Sequence, residues 1–270
     1  MYRVSRSSSS GSKSLSEGPV YLISDLHLEA GRPEITDLLL DFLAGPATRA
    51  RALYILGDLF EAWIGDDAAE ALADQVATAL AALAAKKVTI RFLPGNRDFL
   101  LGQDYCSRAG MQLIAEPFLL EDCDPPALLM HGDTLCTDDL AYQRFRRKVR
   151  NPDWQARVLS RPIWWRRLLA RLARTISKRQ GRTKPAEIMD VNDQAVRQCF
   201  QEHGVALLIH GHTHRPAVHH LHVDDSTRRR IVLGDWNENQ GSVLRLKAGQ
   251  ADLLLLEREQ NGQLALRPLA

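Results

Sequence analysis

The stretch Val20-Tyr21-Leu22-Ile23-Ser24-Asp25-Leu26-His27 decides the reading of this chain, because a short apolar run passes at once into a carboxylate and an imidazole two residues apart. Apolar runs of this length, bounded by polar residues, read as buried strands. The same punctuation recurs four times. Ala52 to Leu56 precedes Gly57-Asp58, Val88 to Leu93 precedes Pro94-Gly95-Asn96, Ala127 to Met130 precedes His131-Gly132-Asp133, and Val205 to Ile209 precedes His210-Gly211-His212. Helical patterns lie between the early runs, at Glu34 to Leu43 and Ala68 to Ala85, and strands alternating with helices argue an α/β core. The tail, from Ala217 to Leu256, reads as antiparallel strands turning at Asp224-Asp225 and near Gly241.

Composition bounds the rest. The chain has 270 residues, 45% of them hydrophobic, with 35 Lys+Arg against 33 Asp+Glu, which suits a soluble globular protein and excludes a disordered one. Cys106, Cys123, Cys136 and Cys199 form no C-x-x-C pair and read as reduced, cytosolic thiols. Residues 1–18 are Ser-rich, lack the apolar core of a signal peptide and read as a disordered leader before one domain over 19–270. No apolar stretch is long enough for a spanning helix.

The charge is unevenly placed. Between residues 140 and 185 stand fifteen basic residues and a single acid, Asp153, whereas the rest of the chain holds 20 basic and 32 acidic residues. A mildly acidic body with one basic segment points to an anionic partner. The segment, about 138–185, reads as a helical insert between the fourth and fifth strands. Trp165, Leu168, Leu169, Leu172 and Ile176 recur at helical spacing with Arg166, Arg167, Arg171, Arg174 and Lys178 between them, the pattern of an amphipathic helix with a basic face. A further helix is expected over Asp190 to Phe200, with Val191, Ala195 and Cys199 on one side.

Each of the five strands delivers a potential metal ligand at its C-terminal end: Asp25 and His27, Asp58, Asn96, His131, then His212 and His214. In open α/β sheets these ends border the ligand crevice, so residues distant in sequence converge there. Imidazole, carboxylate and amide oxygen without thiolate suit octahedral Mn, Mg or Fe better than a closed zinc site. Two such ions lower the pKa of water and clamp the oxygens of an in-line phosphoryl displacement. Asp133 is placed to orient a ligand histidine from behind or simply to form a turn.

The order Asp25-Leu26-His27, Gly57-Asp58, Gly95-Asn96, His131-Gly132-Asp133 and Gly211-His212-Thr213-His214 resembles the calcineurin-like metallophosphoesterases over about residues 20–216. The resemblance implies a four-layer αββα sandwich capped here by the basic insert. It also implies a dinuclear site, with Asp25, His27, Asp58 and His214 on one metal and Asp58, Asn96, His131 and His212 on the other. Asp58 would bridge the two.

One departure narrows the reaction. Many members carry His after Gly-Asn, whereas this chain has Arg97. Arginine does not give up a proton at neutral pH but holds phosphate oxygens in a fork, which suits a phosphate leaving group and therefore a pyrophosphate bond. The strings GDLFEAWIGDD (57–67), GNRDFL (95–100), HGDTLCTDD (131–139), IMDVN (188–192) and HGHTHRP (210–216) resemble the branch that cleaves a UDP-linked diacylated glucosamine lipid in lipid A biosynthesis. That resemblance implies water attacking the α-phosphorus, UMP and a lipid phosphate as products, and two divalent ions, Mn2+ by usage. Asp58, Asn96, Arg97, His131 and His212 would carry the catalysis. Substrate contacts would fall at Asn96, Arg97, Asp139, Ser177, Lys184 and His212, with Tyr142 one helical turn from Asp139. Gly181 stands where the branch has a polar contact.

Trp164, Trp165, Leu168, Leu169, Leu172 and Ile176 would wall the acyl chains, dip into a bilayer or pack on the body. The expected setting is cytoplasmic, peripheral on the inner face of the inner membrane, against an anionic membrane surface. No obligate protein partner is implied. A general nucleotide phosphodiesterase is the rival enzyme, and nucleic-acid binding by the insert is disfavoured because no motif for it appears.

Overall fold

The computed structural model describes residues 5–6, 18–183, 190–259 and 262–269, the side chains of 5–6 and 176–183 excepted. The five expected strands are β2 (Val20–Ile23), β3 (Ala52–Ile55), β4 (Thr89–Phe92), β7 (Ala127–Leu129) and β8 (Leu207–His210). They are shared between two sheets. Strands β2, β3 and β4 run parallel with β5 (Met111–Leu113), and the antiparallel β11 (Gln240–Lys247), β12 (Gln250–Arg258) and β13 (Leu264–Pro268) extend that sheet to seven strands. The six-stranded sheet has the order β1 (Ser5–Arg6), β6 (Phe118–Leu120), β7, β8, β10 (Ser226–Val232) and β9 (Ala217–Val223).

Strand alternation divides the core into three layers. Val20, Leu22, Tyr54, Leu56 and Leu244 of the seven-stranded sheet face Leu129, Ile209 and Ile231 of the other between the sheets. Tyr21, Ile23, Leu53 and Ile55 face outward onto helices α1 (Pro33–Ala44), α2 (Ala71–Ala85) and α3 (Gln103–Arg108) through Phe42, Val76 and Tyr105. On the far side, Leu128 and Leu208 meet Val196 and Phe200 of α7 (Asp193–His203). The result is the expected αββα sandwich. The insert forms α4 (Leu140–Val149), α5 (Pro152–Leu159) and α6 (Ile163–Thr183).

Three details differ from the sequence reading. The turn expected near Gly241 is present, Asn237 N donating to Gln240 O just before β11, but it joins strands of different sheets; the β11–β12 hairpin turns at Ala248-Gly249, both with positive φ, as a two-residue hairpin requires. Helix α7 begins after Asn192, whose side chain accepts from Ala195 N, so its buried face is Val196, Cys199 and Phe200 rather than Val191 and Ala195. Within the leader, read as disordered, Ser5–Arg6 pairs in parallel with Phe118–Leu119.

Candidate metal centre

The ends of β2, β3, β4, β7 and β8 bring Asp25, His27, Asp58, Asn96, His131, His212 and His214 into one cluster. Asp58 stands in the middle, with Oδ2 at 3.8 Å from His27 Nε2 and Oδ1 at 3.8 Å from His131 Nε2. On the first side His27 Nε2 lies 3.3 Å from His214 Nε2, which lies 3.3 Å from Asp25 Oδ1. On the second, His131 Nε2 lies 2.9 Å from Asn96 Oδ1, and the His131 and His212 rings are 5.0 Å apart.

The backbone is bent to achieve this. Asp25, His27, Asp58, His212 and His214 all have φ between 51° and 70°, the left-handed region. Each such non-glycine residue costs on the order of 1–3 kcal/mol, a strain that concentrates at functional sites. The glycines of the Gly-Asn and Gly-His pairs serve close approach, since a Cβ at Gly95 would strike the Asp58 carboxylate and one at Gly211 the Asp25 carboxylate.

The donor set fits divalent cations. Asp25 Oδ1 is buried with no hydrogen-bond partner, while Oδ2 accepts from His212 N. His131 Nδ1 donates to Leu56 O at 2.9 Å, which leaves Nε2, beside Asn96 Oδ1 and Asp58 Oδ1, as the ring atom that would bind a metal. Donors on one octahedral ion with bonds of about 2.1 Å stand about 3 Å apart, close to the spacings found. Two groups, Asp25 with His27 and His214 and Asp25 with Asp58 and His131, bring their donor atoms within 4.8 Å. The electrostatics agree. Burial opposes a charge on His131, but Asp58, Asp25 and Asp133 outweigh it and pull the imidazole up to about 9, a field that favours a cation. Burial and His131 push His212 down to about 4, leaving a neutral imidazole. Asp25 is held below the carboxylate range: burial opposes ionisation, and His214 and His131 overcome it.

Residues behind the donors complete the site, and several escaped the sequence reading. Glu61 Oε2 lies 3.1 Å from His27 Nδ1, and its other oxygen lies 4.0 Å from Arg97 Nη1. Asp235 Oδ2 lies 3.6 Å from His214 Nδ1. A carboxylate behind an imidazole fixes its tautomer and orientation. Gly234-Asp235 closes β10 as Gly57-Asp58 closes β3, a signal available in the sequence. Asp98 ties two loops together, accepting from Gly95 N at 2.8 Å and Leu59 N at 2.7 Å. Among the described residues no hydrogen bond joins Asp133 to the His131 ring. Its carboxylate accepts from Tyr142 Oη at 2.5 Å and Arg146 Nε at 2.8 Å, and Arg146 also holds Glu116, which accepts from His131 N.

The expected substrate contacts are only partly assembled. Arg97 adjoins the cluster through its backbone N, which donates to Asp58 Oδ1, and its Nε is buried without a partner among the described residues. Tyr142 stacks on His212 at 6.1 Å between ring centroids, its hydroxyl committed to Asp133. Asp139 caps α4 by accepting from Tyr142 N. The side chain of Ser177 and all of Lys184 lie outside the described residues.

The insert has two kinds of surface. Trp165 and Leu169 pack against the core, and Arg166, read from sequence as part of the polar face, is buried. Its guanidinium forks onto Asp67 and donates to Ile64 O. Leu140, Phe145, Leu159, Trp164, Leu168 and Leu172 are exposed. Among the described residues, no helix is long and apolar enough to cross a membrane.

A phosphoesterase sandwich with a two-centre divalent-metal site is the class that fold and donors define, and the chain belongs to the calcineurin-like phosphoesterase family, matched over residues 18–216. Three relatives are named UDP-2,3-diacylglucosamine hydrolase. That of Stenotrophomonas maltophilia strain K279a is 51% identical over 88% of this chain and 98% of its own. That of Azotobacter vinelandii strain DJ is 52% identical over 83% and 93%, and that of Stutzerimonas stutzeri strain A1501 is 50% identical over 84% and 94%.

Proposed function

We propose that the protein hydrolyses the pyrophosphate bond of UDP-2,3-diacylglucosamine in lipid A biosynthesis, water attacking the α-phosphorus to give UMP and 2,3-diacylglucosamine 1-phosphate. The observation that carries this reading is Arg97. It sets a guanidinium with a buried, unpartnered Nε beside the donor cluster, where it can neutralise a departing phosphate and has no proton to give. The names of the relatives support the substrate.

Asp25, His27, Asp58 and His214 would hold one divalent ion, and Asp58, Asn96, His131 and His212 the other, Mn2+ being the metal we assign. When bound, such ions supply positive charge to the phosphate oxygens and draw the pKa of water toward neutrality. Asp58 gives one oxygen to each side of the cluster. His131 is held as an Nε2 donor by Leu56 O, and Glu61 and Asp235 orient His27 and His214. Asn96, Arg97, Asp139, Tyr142, Ser177, Lys184 and His212 would contact the substrate. The first four and His212 stand on or beside the loops that carry the donors.

The insert would carry the lipid. Its exposed apolar residues alternate with arginines, a surface suited to acyl chains and to an anionic membrane face, each basic residue being worth about 1 kcal/mol there. We place the enzyme at the cytoplasmic face of the inner membrane, bound peripherally. Hydrolysis of UDP-2,3-diacylglucosamine in 18O-labelled water, with Mn2+ supplied, tests the chemistry. Label should enter UMP, and label in the lipid phosphate would overturn attack at the α-phosphorus.

A further inference from the structure

Beside the His212–His214 loop, on the outer face of the six-stranded sheet, lies a cavity of about 190 Å3 lined in part by Asp190, Thr213, Arg215, His219 and Arg230. The strand register explains its walls. Pairing of β9 with β10 sets His219 opposite Arg230 and Ala217 opposite Val232, and alternation turns all four to one face.

Arg230 is the unusual member. It is 7% exposed, its Nη1 donates to His210 Nε2 at 3.1 Å, its Nε is buried without a partner, and among the described residues no carboxylate pairs with it. Asp190, on the same wall, is taken by Arg215 at 2.5 Å. Asp190 and Asp193 lie near enough to favour the Arg230 charge without bonding to it, and a buried guanidinium with an open Nε is costly unless something supplies acceptors. The cavity is smaller than the roughly 300–1,000 Å3 that encloses a drug-sized ligand, and is on the scale of a single ring.

Its place is also specific. Thr213 lies between two of the metal-site histidines, so the cavity adjoins the centre directly. In the proposed substrate the attacked phosphorus belongs to the UMP half, whose base must therefore lie one ribose away from the metals. The hydrogen bonds of α4, of Arg150 after it and of α6 to Asp133, Glu116, Pro94–Gly95 and Ile64–Asp67 fall on residues that do not line this cavity.

We propose that this cavity is the nucleotide-base subsite, taking a uracil ring whose carbonyl oxygens accept from the Arg230 guanidinium, with Thr213 and Arg215 on the ribose side. The assignment rests on the pyrophosphohydrolase reading above. Calorimetric titration of the Mn2+-loaded protein with UMP and with ribose 5-phosphate tests it. The wild type should bind UMP about 10-fold more tightly or better, the gain expected of hydrogen bonds to a charged donor. His219→Trp, which fills the cavity, and Arg230→Gln should each bring the two affinities together while leaving that for ribose 5-phosphate within about 2-fold. A UMP preference that survives in folded His219→Trp overturns the subsite, whether or not Arg230→Gln folds. Hydrolysis of UDP-2,3-diacylglucosamine by the wild type is measured alongside. Its absence would remove the underlying reading, whereas hydrolysis with an unchanged preference removes the subsite alone.

Discussion

Asp58 joins the two halves of the donor cluster because its backbone is held in the left-handed region and its two oxygens diverge, one toward His27 and one toward His131. Behind that pair, Glu61 restrains His27 from its Nδ1 side, and the contact holds Glu61 below the ordinary carboxylate range: burial opposes its charge, and His27 and Arg97 favour it. Glu61→Gln should therefore keep the fold and lower divalent-metal affinity by about 10–100-fold, the usual effect of losing a partner behind a ligand histidine. Equilibrium dialysis against Mn2+ measures it, and an unchanged affinity would show that Glu61 does not hold the ring. The seven donors were legible in the sequence because each follows an apolar run. Asp235 carried the same signal, a Gly-Asp pair after an apolar strand, but Glu61 did not, because only the assembled loops set its carboxylate behind the His27 ring.

At the scale of elements, α6 shows where periodicity stops being informative. Apolar residues at helical spacing left open whether the stripe packs on the body or faces lipid, and its residues divide: Trp165 and Leu169 pack on the core while Trp164, Leu168 and Leu172 face solvent. Arg166 turns inward because Asp67, 99 residues away, waits with a carboxylate. Such a partner has no local signature. The turn expected near Gly241 is present at Asn237 to Gln240, but Gly241 itself serves packing, its missing side chain making room for Trp236. The exposed face carries a prediction of its own. Replacing Trp164, Leu168 and Leu172 with Ser should change stability by no more than about 0.5 kcal/mol per site, as for surface positions generally. Cosedimentation with anionic phospholipid vesicles should fall at least about 10-fold, since burial of each large apolar side chain is worth about 1.5–3 kcal/mol. Binding equal to that of the wild type would exclude this face as the lipid contact.

Across the whole molecule, two sheets from different parts of the chain close over one core so that the ends of β2, β3, β4, β7 and β8 meet. The α/β class, the insert and the convergence of strand ends followed from pattern alone. Division into two sheets came from the resemblance and not from pattern, since burial on both faces conceals which runs pair, and β5 and β6 are too short to show a period. The packed interior also sets thiol chemistry. Burial pushes Cys106, Cys136 and Cys199 up to about 12 and Cys123 to about 11. A raised thiol pKa leaves the neutral form in place at pH 8, so native protein should resist iodoacetamide that modifies all four cysteines once urea unfolds it. Mass spectrometry of the two samples reads the difference, and rapid native labelling of Cys106 would contradict the packing around α3.

An acidic, metal-holding body acting on a lipid that a basic, apolar insert delivers should depend on the acyl chains of its substrate. Steady-state turnover of UDP-2,3-diacylglucosamine beside its deacylated analogue, at one Mn2+ concentration, tests it most directly. Release of UMP should require Mn2+, with kcat/KM at least about 100-fold higher for the acylated substrate, as loss of buried acyl methylenes would give. Equal kcat/KM for the two would contradict it and point to a general nucleotide phosphodiesterase.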